Sequence, residues 1–161
     1  VIDYSSGIAS SIFPNILGSF NAQVLSQNAY LDSKKITRSA EEFEQGVSQL
    51  SHIVTSLGYD VGFILDAGAE RCLIVDENGK FIETDRLLTL VTHLFLTVYP
   101  HVKKIAVPIT ASAEIDLIAE HMGVQVVKTR DSHLSLMEAA TKEDIKFVGG
   151  CFLLLLLGAV D

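Results

Sequence analysis

The chain has 161 residues, and 20 Asp and Glu against 12 Lys and Arg leave a formal charge of −8. Its only adjacent basic pairs are Lys34-Lys35 and Lys103-Lys104, so it lacks the clustered cations that grip nucleic-acid phosphates or an anionic membrane surface. With 48% hydrophobic and 20% charged residues it is too apolar for a disordered chain, and its length suits one ordinary domain or two small ones.

Eight Phe, four Tyr and no Trp give little material for a base-stacking platform. Cys72 and Cys151 are far apart and neither belongs to a Cys-x-x-Cys pair, which argues against structural zinc and against a disulfide framework. With no signal peptide in view, a reducing cytoplasm is the expected location. The apolar run from Cys151 to Val160 is about half the roughly 20 residues a membrane-spanning helix needs. It reads as a buried strand or as packing against a partner. The opening on Val1, without Met and inside an apolar run, reads as a piece of a longer polypeptide.

In chain order, Val1 to Tyr4 reads as the end of a strand and Ser5-Ser6-Gly7 as a turn. Ile8, Ile12, Ile16 and Leu17 recur at helical spacing, so a helix is expected to about Phe20, with Pro14 limiting its regularity. A short strand is expected at Ala22 to Leu25, then a polar loop from Gln27 to Arg38. Ser39-Ala40-Glu41-Glu42 is a capping box. Phe43, Val47, Leu50, Ile53, Val54 and Leu57 follow as an apolar stripe, closed by Gly58. Val61 to Leu65 is apolar enough to be central in a sheet. Asp66 to Glu70 is a loop, Cys72 to Val75 a strand, and Asp76-Glu77-Asn78-Gly79-Lys80 a hairpin turn.

Thr84-Asp85 is expected to cap a helix over about Arg86 to Tyr99, followed by a strand at Lys104 to Val107. Ser112 is expected to cap a helix whose inner side carries Ile115, Leu117, Ile118 and Met122, ending at Gly123. A strand at Val124 to Lys128, a helix at Leu134 to Ala140, and strands at Ile145 to Val148 and Phe152 to Leu157 complete the chain. Strand and helix alternate twice over, with a break near Phe81 to Thr84. The expected fold is therefore α/β: two consecutive units, residues 1–82 and 83–161, each a mainly parallel mixed sheet covered by helices.

Chemistry concentrates in Asp66-Ala67-Gly68-Ala69-Glu70-Arg71, between two apolar strands. Ligands of open α/β sheets bind beyond the carboxyl ends of strands. Two carboxylates can serve a hard cation such as Mg²⁺, and Arg71 a phosphate oxygen. The competing reading is a polar turn with solvated Asp, Glu and Arg.

Taken in order, these segments resemble the second and third domains of the α-D-phosphohexomutase superfamily, the phosphomannomutases and phosphoglucomutases. That family's metal loop reads Asp-Gly-Asp-x-Asp-Arg before a Val-Asp-Glu-x-Gly hairpin. Here Asp66-Ala67-Gly68-Ala69-Glu70-Arg71 precedes Val75-Asp76-Glu77-Asn78-Gly79. Val1-Ile2-Asp3-Tyr4 resembles the Val-Val-Asp-Tyr that opens the second domain. Val107-Pro108-Ile109-Thr110-Ala111-Ser112 and Lys128-Thr129-Arg130-Asp131-Ser132-His133 resemble strand ends of the third, the latter a Thr-x-x-Gly-His pattern. The order of the segments, more than any one motif, carries the resemblance, which is closest to the degenerate kind fused to a mannose-1-phosphate guanylyltransferase-type nucleotidyltransferase.

The resemblance implies Mg²⁺ at Asp66 and Glu70, and phosphate or sugar contacts from Arg71 and His133. The departures weigh against the ion: Gly68 stands for the second of three aspartates and Glu70 for the third. A loop histidine capping the next helix is the alternative for His133. At Gly149-Gly150-Cys151 the Glu of the family's sugar loop is missing, and Cys151 reads as a packed small hydrophobe. Thr110-Ala111-Ser112 is similar to the family's phosphoserine loop but belongs to a third-domain strand end, so no catalytic residue is assigned. Two functions are expected to compete. One is a phosphomutase fragment, inactive alone, that meets hexose phosphate and the flanking domains of its parent. The other is a non-catalytic regulatory or assembly module.

Overall fold

The computed structural model describes residues 1–35, 39–150 and the strand at 154–156. The chain divides into two units, Val1–Ile82 and Glu83–Asp161. Both are α/β, with parallel-dominated sheets and covering helices.

The first unit runs β1 (Ile2–Asp3), α1 (Ala9–Gly18), β2 (Ser26–Gln27), α2 (Ala40–Leu57), β3 (Val61–Leu65), β4 (Cys72–Asp76) and β5 (Phe81–Ile82). Its sheet order is β2-β1-β3-β4-β5. β1 pairs in parallel with β2 and β3, and the last two pairings are antiparallel. Side-chain alternation along the strands divides the core. Val1, Ile64 and Val75 pack with Leu50 and Val54 of α2. Ile2, Tyr4 and Leu65 pack with Ala9 of α1, and Phe13 and Leu17 lie against them.

α2 begins where its sequence says it should. The Ser39 hydroxyl accepts from Glu42 N–H at 3.2 Å and the Glu42 carboxylate accepts from Ser39 N–H at 2.8 Å. Gly58 ends it in the left-handed region at φ 67°. A Cβ on Gly62 of β3 would lie 2.8 Å from Val54 Cγ2 and 2.9 Å from the Leu50 Cγ. Glycine therefore sets how closely α2 approaches the sheet.

The second unit runs α3 (Thr84–Val98), β6 (Lys104–Pro108), α4 (Glu114–His121), β7 (Gln125–Thr129), α5 (His133–Ala140), β8 (Phe147–Gly149) and β9 (Leu154–Leu156). Its sheet order is β7-β6-β8-β9, parallel except for the last pair. β6 is buried on both faces. Ile105 and Val107 join Leu88, Leu96 and Ile115 of α3 and α4, while Ala106 meets Leu136 and Ala139 of α5.

Several expected boundaries move. The strand expected at Ala22 to Leu25 lies at Ser26–Gln27, because pairing begins only after the Leu25 carbonyl accepts Ile2 N–H at 2.9 Å. α3 starts at Thr84, so Glu83 occupies the cap position and makes no side-chain cap bond. Ala113 holds the cap position of α4, although Ser112 Oγ accepts from Glu114 N–H at 3.2 Å. β8 begins at Phe147, leaving Ile145 buried in the approach loop. Leu57 is 60% exposed and Tyr59, turned back by Gly58, joins the α2 cluster instead. Leu117 is 66% exposed, since two residues of helix put it about 200° round from Ile115. Of the last expected strand, 154–156 is a strand; 152–153, 157 and Cys151 lie outside the described residues, as does the end of the polar loop at 36–38.

Candidate functional site

The loop from Asp66 to Arg71 joins the antiparallel strands β3 and β4, just beyond the Leu65–Cys72 pair. Asp66 closes it. Asp66 N–H donates to the Arg71 carbonyl at 3.1 Å, and the Asp66 carbonyl accepts from Ala69 N–H at 3.0 Å. Its carboxylate Oδ1 accepts from Glu70 N–H at 2.7 Å and from Arg71 N–H at 3.1 Å. The same device closes the next turn, where Asp76 Oδ1 accepts from Asn78 N–H at 3.0 Å and Lys80 N–H at 2.8 Å. Asp66 thus spends one carboxylate oxygen on its own backbone. Glu70 and Arg71 are exposed beside it. The positive φ in the loop falls on Ala69, at 58°, not on Gly68.

A second loop, read from the sequence only as a turn, braces the first. Gly7 lies so close to the Asp66 loop that an added Cβ would fall 2.4 Å from the Ala67 carbonyl oxygen. Ile8 N–H donates to that same oxygen at 3.1 Å. Ser5 donates its hydroxyl to the Leu65 carbonyl. Buried Asp3 accepts on Oδ1 from Ser5 N–H at 2.8 Å and from Asn28 Nδ2 at 2.9 Å. Ser5, Ser6 and Asn28 all carry positive φ. The carboxyl ends of β1, β2 and β3 are thereby sewn into one rim. The one legible signal was Gly7 between a strand and a helix; Ser5 and Ser6 gave none, because serine seldom takes that backbone.

Cys72 opens β4 beside this rim. The residue is exposed overall, yet its thiol is pushed up to about 11, first by desolvation of the sulfur and then by the Asp66 charge. Such a thiol is a poor nucleophile at neutral pH.

In the second unit, Thr110 after β6 donates its hydroxyl to the Asp131 carboxylate after β7 at 2.8 Å. Ser132, not His133, caps α5, accepting from Ser135 N–H at 3.2 Å. His133 is the first residue of that helix and is exposed. Asp66, Glu70 and Arg71 share one loop of the first unit, whereas His133 belongs to the second.

Residues 1–79 match the family described as phosphoglucomutase/phosphomannomutase, alpha/beta/alpha domain II. The match covers all but the last three residues of the first unit. The whole chain is 31% identical over 150 residues to a phosphoglucomutase/phosphomannomutase of Thermococcus kodakarensis, covering 93% of this chain and 32% of that protein. It is 30% identical over 149 residues to a protein of Methanopyrus kandleri named "Probable phosphoglucosamine mutase", covering 92% and 33%. The fold matches the crystal structure of a phosphoglucomutase/phosphomannomutase family protein from Burkholderia thailandensis with a TM-score of 0.79 at 14% identity, over 93% of this chain and 33% of that one. The chain thus spans about a third of the length of the relatives it matches.

The resemblance implies Asp66 and Glu70 as the ligands of any Mg²⁺ here, with Gly68 and Glu70, in place of two aspartates, weighing against the ion. Among the described residues, no three or more His, Cys, Asp or Glu side chains are grouped to hold an ion. Gly68 brings no carboxylate, and the Asp66 oxygen nearest the loop already accepts two amides. This loop does not fit a three-carboxylate cage. The backbone does not forbid one: Gly68 has no positive φ, and a Cβ there would meet only the Glu70 side chain, at ordinary distances of 3.5 Å to Cγ, 3.6 Å to Cδ and 3.8 Å to Oε1.

Proposed function

We propose that this chain is the phosphohexomutase-like core of a longer sugar-nucleotide biosynthesis protein and that it moves no phosphoryl group by itself. The observation that carries the second half is the Asp66 loop, closed on its own backbone amides and short of a carboxylate at Gly68. Phosphoryl transfer is almost entirely positioning and electrostatic stabilisation, so a loop with two carboxylates in place of three is weakened in the one contribution it could make. In this reading the first unit is domain II and the second, residues 83–161, a domain III-like unit. A mannose-1-phosphate guanylyltransferase-type domain adjoins them in the parent. The departures from the family's metal and sugar loops support this parentage.

Arg71 and His133 are the residues proposed to meet a hexose phosphate: Arg71 as a planar cation suited to phosphate oxygens, His133 as an exposed donor on the first turn of α5. Neither moves a proton in a catalytic step here.

A coupled assay with mannose-1-phosphate or glucose-1-phosphate plus the matching 1,6-bisphosphate tests the reading. No turnover above background is expected. Turnover that survives dialysis and vanishes on Asp66→Ala overturns it. A second reading, a non-catalytic regulatory or assembly module that binds sugar phosphate weakly or not at all, is favoured by the missing carboxylate at Gly68. Calorimetry with hexose phosphate separates the two: millimolar binding weakened at least tenfold by Arg71→Ala supports the first, and no heat supports the second. The sequence of the complete gene product tests the fusion, which an absent nucleotidyltransferase signature would contradict.

A further inference from the structure

Left-handed backbone gathers in one part of the first unit. Among the described residues five other than glycine take positive φ, and Ser5, Ser6, Asn28 and Ala69 of these lie in the rim around the Asp66 loop. Asn adopts this backbone readily, whereas Ser and Ala do so at a cost. Such residues persist only where the surrounding structure over-determines them, and they cluster at ligand-binding edges. Here the determining contacts come from other elements. Ser6 N–H donates to the Asn28 carbonyl at 3.1 Å, and the Ser6 carbonyl accepts from Asp32 N–H at 3.2 Å.

The turn meets the Asp66 loop through main-chain atoms. A Cβ on Gly7 would fall 2.4, 2.5 and 2.8 Å from the oxygen, Cα and carbonyl carbon of Ala67. No rotamer change relieves an overlap with main chain. Gly7 does not itself take positive φ, so the turn requires its missing side chain and not its conformational freedom. Ile8 N–H then fastens onto the Ala67 carbonyl at 3.1 Å. Four residues on, Arg71 N–H donates to the Asp66 carboxylate at 3.1 Å, which ties the return of the loop to its start.

We propose that Gly7 is a positioning residue for Arg71: by admitting the Ala67 carbonyl to the Ile8 amide, it sets the place from which the guanidinium meets a ligand phosphate. The contact with phosphate rests on the reading of Arg71 given above; the seating of the loop does not.

Amide hydrogen exchange on the 161-residue chain, resolved by residue, tests the seating. Gly7→Ala should speed exchange at Ile8, Glu70 and Arg71 by roughly tenfold or more, with the amides of α2 between Leu50 and Val54 unchanged. Ser5→Ala adds no atom and removes the hydroxyl that donates to the Leu65 carbonyl. It should give the same pattern more weakly, and it decides the matter if Gly7→Ala does not fold. Titration with mannose-1-phosphate, followed by NMR, reads the consequence. Gly7→Ala should weaken binding roughly tenfold when Arg71 is present and have no further effect in an Arg71→Ala chain. A general loss of stability would not produce that interdependence. Exchange unchanged in both variants overturns the proposal, as does a Gly7→Ala effect on binding of equal size with and without Arg71. A wild type that binds no hexose phosphate overturns the reading of Arg71 and with it the phosphate contact, whereas the exchange pattern still shows whether Gly7 seats the loop.

Discussion

At the scale of the residue, Ala69 shows how the candidate loop is held. Left-handed backbone costs a non-glycine residue roughly 1–2 kcal/mol, and Ala69 bears it while Gly68 next door does not need to. Ala69→Gly should stabilise the protein by about 1 kcal/mol in urea denaturation; a destabilised variant would show that the loop is held differently. The Tyr4 hydroxyl is fully buried and has no hydrogen-bond partner among the described residues. Tyr4→Phe should be neutral or stabilising by about 1 kcal/mol, since it removes an unsatisfied buried group. A loss above about 2 kcal/mol would mean that the hydroxyl has a partner.

Cys72 supplies the pH prediction. Its thiol is raised from 9.0 to about 11, so the folded state favours the neutral form. The stability this brings is fully present below about pH 9 and is lost as pH rises through 11. In a Cys151→Ser variant, alkylation of the folded chain at pH 8.5 should run roughly 100-fold slower than that of a free thiol. A rate within a few-fold of free cysteine contradicts the assignment. That Asp66, Glu70 and Arg71 share a loop was legible, because they are adjacent in sequence. That Asp66 turns inward to cap its own loop was not, because Asp is equally at home coordinating and capping.

At the scale of the element, α2 was legible almost whole. Its capping box, apolar stripe and terminal glycine are local signals, each acting within a turn of itself. Ser39→Ala should cost about 1 kcal/mol through the lost cap, with Ser39→Asp largely restoring it. An unchanged midpoint for Ser39→Ala would show the box to be idle. The two-residue strands were the hard part. Ser26–Gln27 is a strand only because β1 lies beside it, and pairing between distant segments leaves little mark on either. Leu117 was misplaced by counting apolar residues without their angle, since only Ile115 of that pair faces the core.

At the scale of the whole molecule, the alternation of strand and helix made the α/β class legible, because parallel sheets need crossover helices. The rim built by Ser5, Gly7 and Asn28 around the Asp66 loop was not, because positive φ at serine is a product of the assembled sheet ends. In the proposed reading the loop keeps its place at the sheet end and two carboxylates, Asp66 and Glu70, and lacks the one that Gly68 does not supply. Titrating the chain with millimolar Mg²⁺ in a calorimeter beside Gly68→Asp/Glu70→Asp tests the proposal that the carboxylate lacking at Gly68 is what keeps the loop from holding the ion. The wild type should give no saturable heat, and the double variant, whose new side chain the backbone admits, should bind at least tenfold more tightly. Saturable binding by the wild type that vanishes on Asp66→Ala, or a folded double variant that binds no better, would contradict the account.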